Sequence, residues 1–295
     1  MSADQFVQYL VSGVTQGSIY ALVGLGFTII FTVTGIINFA QGEFVMLGGM
    51  ISYRLIASGG LPLPLAAILS ILATAVIGAI LYLLAIRSAR KASVVSLIII
   101  TIGAAILIRG IVGQLWGKDP VRPPYFSGEE SLSFLGAYIQ PQALWIIGIT
   151  LVVMIILHLF FSRTMMGKAL KACAVSRVGA SLVGIDAKSM ALISFSLAAA
   201  LGAIGGVAMA PLTTTSYSIG TMATLKGFVA ASIGGFRSQL LTVVGGITVG
   251  IVESVAVGLN WGPFTSAYKD AIALVVLLLI LLVRSGRLAT EERAS

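Results

Sequence analysis

Long apolar runs with almost no charged residues dominate the chain. They cover residues 6–31, 63–86, 94–116, 144–161, 190–210, 240–259 and 271–283. An α-helix needs about 20 apolar residues to cross the hydrocarbon core of a bilayer, and most of these runs approach or exceed that length. Backbone hydrogen bonds must be satisfied within the segment there, which favours helices. We therefore predict an all-α, polytopic transmembrane helical bundle.

The composition excludes a water-soluble domain. Hydrophobic residues make up 58% of the 295 residues, charged residues make up 9%, and the mean hydropathy is +1.07. Soluble domains have about a quarter of their residues charged. The single cysteine (Cys173) and the single histidine (His158) also argue against a zinc site or a Ser-His-Asp triad. We expect neither a metal site nor a catalytic site.

Two further apolar stretches are interrupted by polar residues. Residues 36–57 contain two amides and a carboxylate near their start, and residues 224–236 are interrupted at Lys226 and Gly227. Irregular backbone is tolerated at membrane depth only where protein buries it or where it lines a wet cavity, so we predict broken or re-entrant helices. We expect about eight spans, and an external N-terminus if both stretches cross the membrane. If residues 36–57 only dip into the membrane, the N-terminus lies inside.

Charge asymmetry orients the spans. Residues 163–188 carry five basic residues against one acid, whereas residues 117–140 carry two basic residues against three acids. Basic residues concentrate in short cytoplasmic loops, so the first segment should be cytoplasmic and the second external. The basic residues near positions 87–91 and 284–287 should also lie on the inner side.

Pairs of glycines recur at a spacing of four residues within the apolar runs. These pairs are Gly13 and Gly17, Gly202 and Gly206, and Gly246 and Gly250. Residues at this spacing share one face of a helix, and without side chains they let two helix backbones approach closely. We expect tight helix packing at these positions.

The densest polar cluster inside an apolar stretch consists of Asn38, Gln41 and Glu43. Asn38 and Gln41 are three residues apart and so share one face of a helix. Polar groups inside membranes commonly mark a pathway, so the cluster predicts a translocation-pathway lining or a seam between two subunits. The alternative is a hydrogen-bonding device at a helix break. Glu253, Lys226 and Arg109 are the other polar residues in apolar runs that could mark a pathway. The alternative, which we favour for Arg109 and Lys226, is that their long side chains reach toward an interface.

Residues 163–188 carry a different kind of signal. They are basic, compatible with helix and rich in small residues, and they form a segment too long for a simple turn. A short amphipathic helix lying on the cytoplasmic surface fits this composition. The alternative is a basic loop that rests on anionic lipid head groups.

Three residue strings give the chain a specific resemblance. They are INFAQGE at residues 37–43, ASLVGI at 180–185 and GFVAASIGG at 227–235, the last followed by paired glycines at 245 and 246. In this order they look like the membrane permease of the branched-chain (hydrophobic) amino acid ABC importers, and they resemble the first of that system's two paired permeases. The chain departs from the family pattern at residues 236–242 (FRSQLLT), where a glycine-serine-proline-glycine style turn is usual. This departure bears on substrate or subfamily identity: leucine-type amino acids are the family default, and urea or short amides are the alternative.

The resemblance implies a single transmembrane permease domain over residues 1–295 in the bacterial cytoplasmic (inner) membrane. Such permeases pair with a second permease subunit, as a homodimer or a heterodimer. Two cytoplasmic ATPase subunits dock on the inner face, and a periplasmic solute-binding protein delivers the solute.

The same resemblance makes residues 163–188 the segment that couples the permease to its ATPase. The small residues Gly179, Ala180 and Gly184 would seat in a groove of the ATPase, and Ile185 would be the apolar anchor. The sequence contains no GxxxxGK[ST] phosphate loop, so ATP would be bound by the partner subunits and the chain itself would need no cofactor. We therefore expect a permease and not an enzyme.

Two other functional classes fit the sequence less well. An ion-coupled secondary transporter usually buries several acidic residues as cation or proton sites, and Glu43 and Glu253 are few for that purpose. An intramembrane enzyme needs a nucleophile with a base, or a set of metal ligands. His158 has no carboxylate or cysteine near it in the sequence. An ATP-driven permease is the interpretation that these absences favour.

Overall fold

The computed structural model describes residues 3–89, 92–134, 137–259 and the four positions 270, 271, 274 and 275. Within them the chain forms ten α-helices: α1 (Ala3–Thr34), α2 (Gln41–Ala57), α3 (Leu63–Leu81), α4 (Val94–Trp116), α5 (Pro141–Arg163), α6 (Met165–Val175), α7 (Arg177–Leu182), α8 (Ala187–Thr213), α9 (Ile219–Ile233) and α10 (Gln239–Leu259). In the same residues, β1 (Leu132–Phe134) and β2 (Ala137–Ile139) form one short antiparallel hairpin. The predicted all-α bundle is confirmed, and the predicted span at 271–283 lies largely outside the described residues.

Six helices in the described part of the chain are long and apolar enough to cross a membrane. They are α1, α4, α5, α8, α10, and α3 together with the π-helical turn Tyr82–Ile86 that continues it. Each coincides with a predicted apolar run, because length and hydrophobicity are the direct requirements of a bilayer crossing. The hairpin precedes α5, whereas α6 and α7 follow it, so the predicted external and cytoplasmic segments lie at opposite ends of α5.

The first predicted interruption is confirmed. After α1 the backbone is irregular over residues 35–40, and α2 then begins at Gln41 and extends for 17 residues. Gly35 adopts φ +67°, a left-handed conformation that ends α1 with little strain because glycine has no Cβ. Asn38 stabilises the turn that follows, since its Oδ1 accepts a hydrogen bond from Ala40 N at 3.1 Å.

The second predicted interruption is wrong in its position. α9 runs without a break through Lys226 and Gly227, and the irregular backbone precedes it at residues 214–218. The charge of Lys226 does not unwind the helix, because Glu253 lies 2.8 Å from its Nζ inside the bundle. The break follows Pro211, which lacks a backbone donor and lies near the end of α8.

Glycine contacts between α1 and α10 form the centre of the bundle. The two helices are antiparallel: a Cβ built on Gly13 would lie 2.6 Å from Ile251 Cα, and one built on Gly17 would lie 2.5 Å from Ile247 Cα. Real Cβ atoms do not approach backbone so closely, so only glycine fits at the observed spacing. Gly206 brings α8 against α2 in the same way. The predicted tight packing at these glycines is confirmed.

Helices α3, α4 and α5 surround this centre and leave much of their apolar surface uncovered. Leu72 on α3, Leu115 on α4 and Ile156 on α5 are each more than half exposed. So much apolar surface is unfavourable in water, whereas lipid or another membrane subunit covers it readily. The architecture is that of a polytopic membrane protein.

Candidate translocation and coupling sites

The polar cluster of Asn38, Gln41 and Glu43 lies at the start of α2, and each of the three residues is 0% exposed. Gln41 Nε2 donates to Ala198 O on α8 at 2.9 Å. Glu43 Oε1 accepts from Arg109 Nη2 on α4 at 2.7 Å. The cluster therefore connects α2 to two neighbouring helices within one subunit.

Contacts with α9 complete the surroundings of the cluster. Gly42 N donates to Thr224 Oγ1 at 3.0 Å, and Thr224 Oγ1 lies 3.3 Å from its acceptor Phe39 O in the first irregular segment. Gly220 leaves room for the Glu43 carboxylate, which a Cβ at that position would meet. The starts of α2 and α9, each preceded by irregular backbone, thus meet at the polar residues.

Three buried atoms of the cluster have no hydrogen-bonding partner among the described residues. They are Asn38 Nδ2, Gln41 Oε1 and Glu43 Oε2. Buried polar atoms in native proteins nearly always pair with protein, water or a ligand. The cluster therefore forms the hydrogen bonds expected at a helix break. In addition, it has one donor atom and two acceptor atoms that bond to no described residue. Its assignment to a translocation pathway or a subunit seam stays a prediction.

A second buried polar network joins α1, α9 and α10. Lys226 Nζ lies 2.8 Å from Glu253 Oε1 and donates to Tyr20 OH at 3.0 Å, and Tyr20 OH donates to Glu253 Oε2 at 2.8 Å. Lys226 Nζ also lies 2.8 Å from Asp270 Oδ1. The predicted reach of Lys226 and Arg109 toward an interface is wrong, because each cation pairs with a buried carboxylate. Pairing removes much of the cost of an isolated charge at membrane depth.

Residues 163–188, which the sequence predicts to be cytoplasmic, fold into two short helices, each with a side-chain cap at its start. Thr164 Oγ1 accepts from Gly167 N at 3.0 Å at the start of α6, and Ser176 Oγ accepts from Gly179 N at 3.0 Å at the start of α7. Hydroxyl side chains are favoured there because they satisfy backbone donors that a helix leaves free. The segment is therefore helical as predicted, although it forms two helices where one was expected, and its location on the cytoplasmic surface stays a prediction.

Gly184 and Asp186 end this segment and start α8. Gly184 adopts φ +85°, which turns the chain after α7. The Asp186 carboxylate accepts hydrogen bonds from Ser189 Oγ and from the backbone N–H groups of Lys188 and Ser189. These bonds, chiefly that from Ser189 Oγ and then that from Lys188 N, hold the pKa of Asp186 below its usual range. The carboxylate is therefore ionised at neutral pH and fixes the entry into α8.

Of the four predicted coupling residues, two pack against the core of the chain and two are wholly or partly exposed. Ala180 is buried and Ile185 is half-buried against the core of the chain, whereas Gly184 is exposed. Gly179 is partly exposed beside its Ser176 cap. The assignment of these four residues to ATPase coupling stays a prediction, with Ala180 and Ile185 on the inner side of the segment.

Sequence reasoning misses three strongly exposed apolar side chains at and just after α7. Val178, Leu182 and Val183 are 71%, 83% and 74% exposed. The spacing of four residues between 178 and 182 puts two of them on one face of α7, and this signal is visible in the sequence. Such a concentration of exposed apolar side chains marks a surface that contacts a protein partner or the membrane.

Arg177 links α7 to the helix break that precedes the polar cluster. Its Nε donates to Val33 O, near the end of α1, at 3.2 Å. A Cβ built on Gly35 would lie 3.6 Å from Arg177 Nη2. α7 thus contacts the start of the irregular segment 35–40, which contains Asn38 and is followed directly by Gln41.

A family model matches almost the whole chain. The model of the branched-chain amino acid transport system permease component matches residues 9–281. The chain belongs to this permease family. The resemblance carried by the three residue strings is therefore confirmed.

Individual relatives of this permease align with it nearly end to end. The high-affinity branched-chain amino acid transport system permease protein LivH of Escherichia coli is 32% identical over 293 residues, covering 94% of this chain and 93% of the relative. The corresponding protein BraD of Pseudomonas aeruginosa is 32% identical over 305 residues and covers 97% of both chains. Among solved structures, PsaBC from Streptococcus pneumoniae in complex with Fab matches with a TM-score of 0.50 and 14% identity, over 93% of this chain and 90% of that chain. This last likeness shows a shared fold.

Proposed function

We propose that the chain is a membrane-spanning permease subunit of an ATP-driven ABC importer that moves branched-chain or other hydrophobic amino acids across the bacterial cytoplasmic membrane. The family match over residues 9–281 carries this proposal. LivH and BraD support it, because both are named as branched-chain amino acid permeases and align with at least 94% of this chain. Urea or short amides are the second candidate substrates, because residues 236–242 depart from the family turn.

The permease role requires partners that supply energy, solute and the other half of the pore. With residues 1–295 as one permease domain, the exposed apolar faces of α3, α4 and α5 offer surface to lipid and to a second permease subunit. Two cytoplasmic ATPase subunits bind ATP, since this sequence has no phosphate-binding loop. A periplasmic solute-binding protein supplies the amino acid. The chain then needs no cofactor and is not an enzyme.

Coupling to the ATPase runs through α7. The exposed apolar side chains of this helix contact the ATPase, and Gly179 and Gly184 let the partner approach the backbone closely. Ala180 and Ile185 pack on the bundle and transmit movement to it. Arg177 transmits the same movement to the irregular segment before α2, through its hydrogen bond to the end of α1.

A charged substitution on the exposed face of α7 tests this coupling. Leu182→Glu would bury an unpaired carboxylate in the contact. It leaves the backbone unstrained, whereas a substitution at Gly184 also disturbs a φ of +85°. We expect the variant to insert and fold but to lose co-purification with the ATPase and its stimulation. Lys168→Gln/Lys171→Gln on α6 is the control, because it removes positive charge and leaves the apolar face of α7 intact. If this variant loses the ATPase while Leu182→Glu retains it, the segment acts through its positive charge, as an electrostatic anchor, and the apolar face of α7 does not bind the ATPase.

Asn38 and Gln41 belong to the solute path in this proposal. Their amides offer donors and acceptors to a zwitterionic amino acid without the desolvation cost of a fixed charge. Both are buried in this conformation, so they become accessible in another state of the cycle. In a Cys173→Ser background, Asn38→Cys and Gln41→Cys should react with a hydrophilic thiol reagent in one nucleotide state. Protection in both the resting and the nucleotide-bound state would contradict this role.

Uptake by the reconstituted assembly tests the function itself. The chain, its second permease and the ATPase are placed in vesicles with the solute-binding protein outside. We expect leucine uptake that requires ATP inside and is insensitive to ionophores. Preferential uptake of urea would select the second substrate class. Uptake that is independent of ATP and collapses with an ion gradient would contradict the proposal.

A further inference from the structure

A cavity on the cytoplasmic side of the bundle lies apart from the polar cluster. It has a volume of about 400 Å³, and it is bordered by the end of α1, the π-helical turn after α3, the start of α4 and the start of α8. Sites for small ligands typically have volumes of about 300–1,000 Å³. The cavity is therefore large enough to hold a ligand head group.

The lining of this cavity is cationic. Arg87, Arg177 and Lys188 border it, and the described residues around it contribute no carboxylate. The neighbouring acid Asp186 is occupied by hydrogen bonds at the start of α8. Basic pockets between membrane helices on the cytoplasmic side bind phosphate head groups, and a guanidinium can hold two phosphate oxygens at once.

Apolar residues line part of the cavity and are exposed on the elements that border it. Ile36, Ile86 and Leu97 form part of its wall. On the same elements, Leu84 in the π-helical turn and Val95 on α4 are 72% and 64% exposed. An occupant can therefore place a charged group on the three cations while its hydrocarbon part follows the apolar surface. A free phosphate ion or an acidic peptide would use only the first of these features.

The π-helical turn Tyr82–Ile86 shapes the cavity. Turns of this kind inside α-helices are rare and occur frequently at functional sites. The Tyr82 ring packs against Phe195 of α8, with ring centroids 5.5 Å apart, and so fixes one wall. Arg87 directly follows the turn and lines the same cavity.

We propose that this cavity binds the phosphate group of an anionic phospholipid of the inner leaflet. Arg87, Arg177 and Lys188 hold the phosphate, and the acyl chains lie along the outer faces of α3 and α4. Because Arg177 is also bonded to Val33, the bound lipid contacts both the coupling helix and the end of α1. The site makes no use of the transported solute.

Native mass spectrometry of the full chain, released from nanodiscs of phosphatidylglycerol and phosphatidylcholine, tests the proposal. The parent chain should retain phosphatidylglycerol in preference to phosphatidylcholine. Arg87→Gln/Lys188→Gln should weaken this retention about 30-fold, as expected for two lost charges at an anionic head group. The charge-conserving Arg87→Lys/Lys188→Arg should preserve retention, which separates loss of charge from loss of fold.

A matched pair on the same cytoplasmic side, Arg163→Gln/Lys168→Gln, serves as the control and should bind like the parent. An equal loss in this pair would reduce the effect to diffuse surface attraction and overturn the site. Displacement of the lipid by millimolar inorganic phosphate would assign the cavity to a free anion instead. If the parent does not retain phosphatidylglycerol, the lipid proposal is wrong. Loss of ATPase co-purification in Arg87→Gln/Lys188→Gln, measured on the assembled transporter, would then assign the cavity to the subunit interface.

Discussion

Helices α1 and α4 are both long, apolar membrane spans, yet they occupy opposite places in the molecule. Of the most apolar stretch of each helix, 89% is buried inside the bundle in α1 and 11% in α4. α4 is nevertheless the more hydrophobic of the two. Hydrophobicity therefore does not determine which helix lies at the centre of this protein, because leucine and isoleucine side chains are as stable in lipid as they are inside the protein.

Small residues explain the different positions of the two helices. Gly13 and Gly17 bring the backbone of α1 against that of α10, whereas a Cβ added to Gly103 or Gly110 on α4 would meet nothing within 4 Å. Close approach of backbones provides many weak packing contacts at once. α1 can therefore form the centre of the bundle, and α4 has no surface of the same kind.

Polar contacts attach α4 to the rest of the bundle. Among the described residues, three such contacts join α4 to α2 and to the segment before α2. They are Arg109 with Glu43, Thr101 with the backbone N–H of Phe39, and Arg54 with the carbonyl of Trp116. Apolar residues of α4 such as Ala105 and Val112 also pack against the core, but only 11% of its most apolar stretch is buried. A helix with so little buried surface can shift when its polar contacts change, whereas packed backbones resist movement. The centre is expected to be rigid and α4 to be separately adjustable.

The largest effect is expected from the ion pair at the centre. Lys226→Met removes the cation that lies 2.8 Å from Glu253, whose side chain is 1% exposed, and the loss of one partner of a buried ion pair destabilises by about 3–5 kcal/mol. Arg109→Met removes the cation paired with the buried Glu43 and should destabilise less, because the Arg109 side chain is 29% exposed and water can reach the vacated position on the peripheral helix. Thermal unfolding of the purified chain in detergent measures both losses.

The double variant Lys226→Met/Glu253→Met is the control for this comparison. It removes both charges and should recover most of the stability lost in Lys226→Met, since apolar replacements of a whole buried pair are often neutral. A greater loss of stability in Arg109→Met than in Lys226→Met would show that the attachment of α4 stabilises the bundle more than the central ion pair does, and it would contradict a peripheral place for α4.

A smaller effect is expected from the glycines. Gly17→Ala forces a Cβ against Ile247, where 2.5 Å is available, and should destabilise by about 1–3 kcal/mol, as overpacking does. Gly110→Ala on α4 has open space and should be neutral or stabilising by up to about 1 kcal/mol, because alanine favours helix. Unfolding of the two variants in mixed micelles gives the comparison. Equal losses would contradict the role assigned to small residues.

The sequence predicted the membrane helices closely, because apolar length is read directly from residue order. The predicted runs at 63–86 and 94–116 have the same limits as α3 with its π-helical turn and as α4. The predictions for Lys226 and Arg109 were wrong, because their partners are 27 and 66 residues away in the chain. Such pairs depend on how the helices pack, and a local pattern carries no signal for them.

The candidate sites divide in the same way. The glycine pairs were predictable because their spacing alone defines a contact face. The burial of Asn38, Gln41 and Glu43 depends on contacts with α4, α8 and α9, and the sequence left it open between a pathway and a helix break.

The smallest effect is expected at the polar contact between α4 and the irregular segment. Phe39 N donates a hydrogen bond to Thr101 Oγ1 at 3.1 Å. Thr101→Val removes this acceptor with little change of side-chain volume and should destabilise the protein by about 1 kcal/mol. Thr101→Ser keeps the hydroxyl and is the control. Hydrogen exchange should rise over residues 35–40 and in α4 in the valine variant, and should be unchanged in α1 and α10. Equal exchange in the valine and serine variants would show that this hydrogen bond does not hold α4, and a rise throughout α1 would show that centre and periphery unfold as one unit.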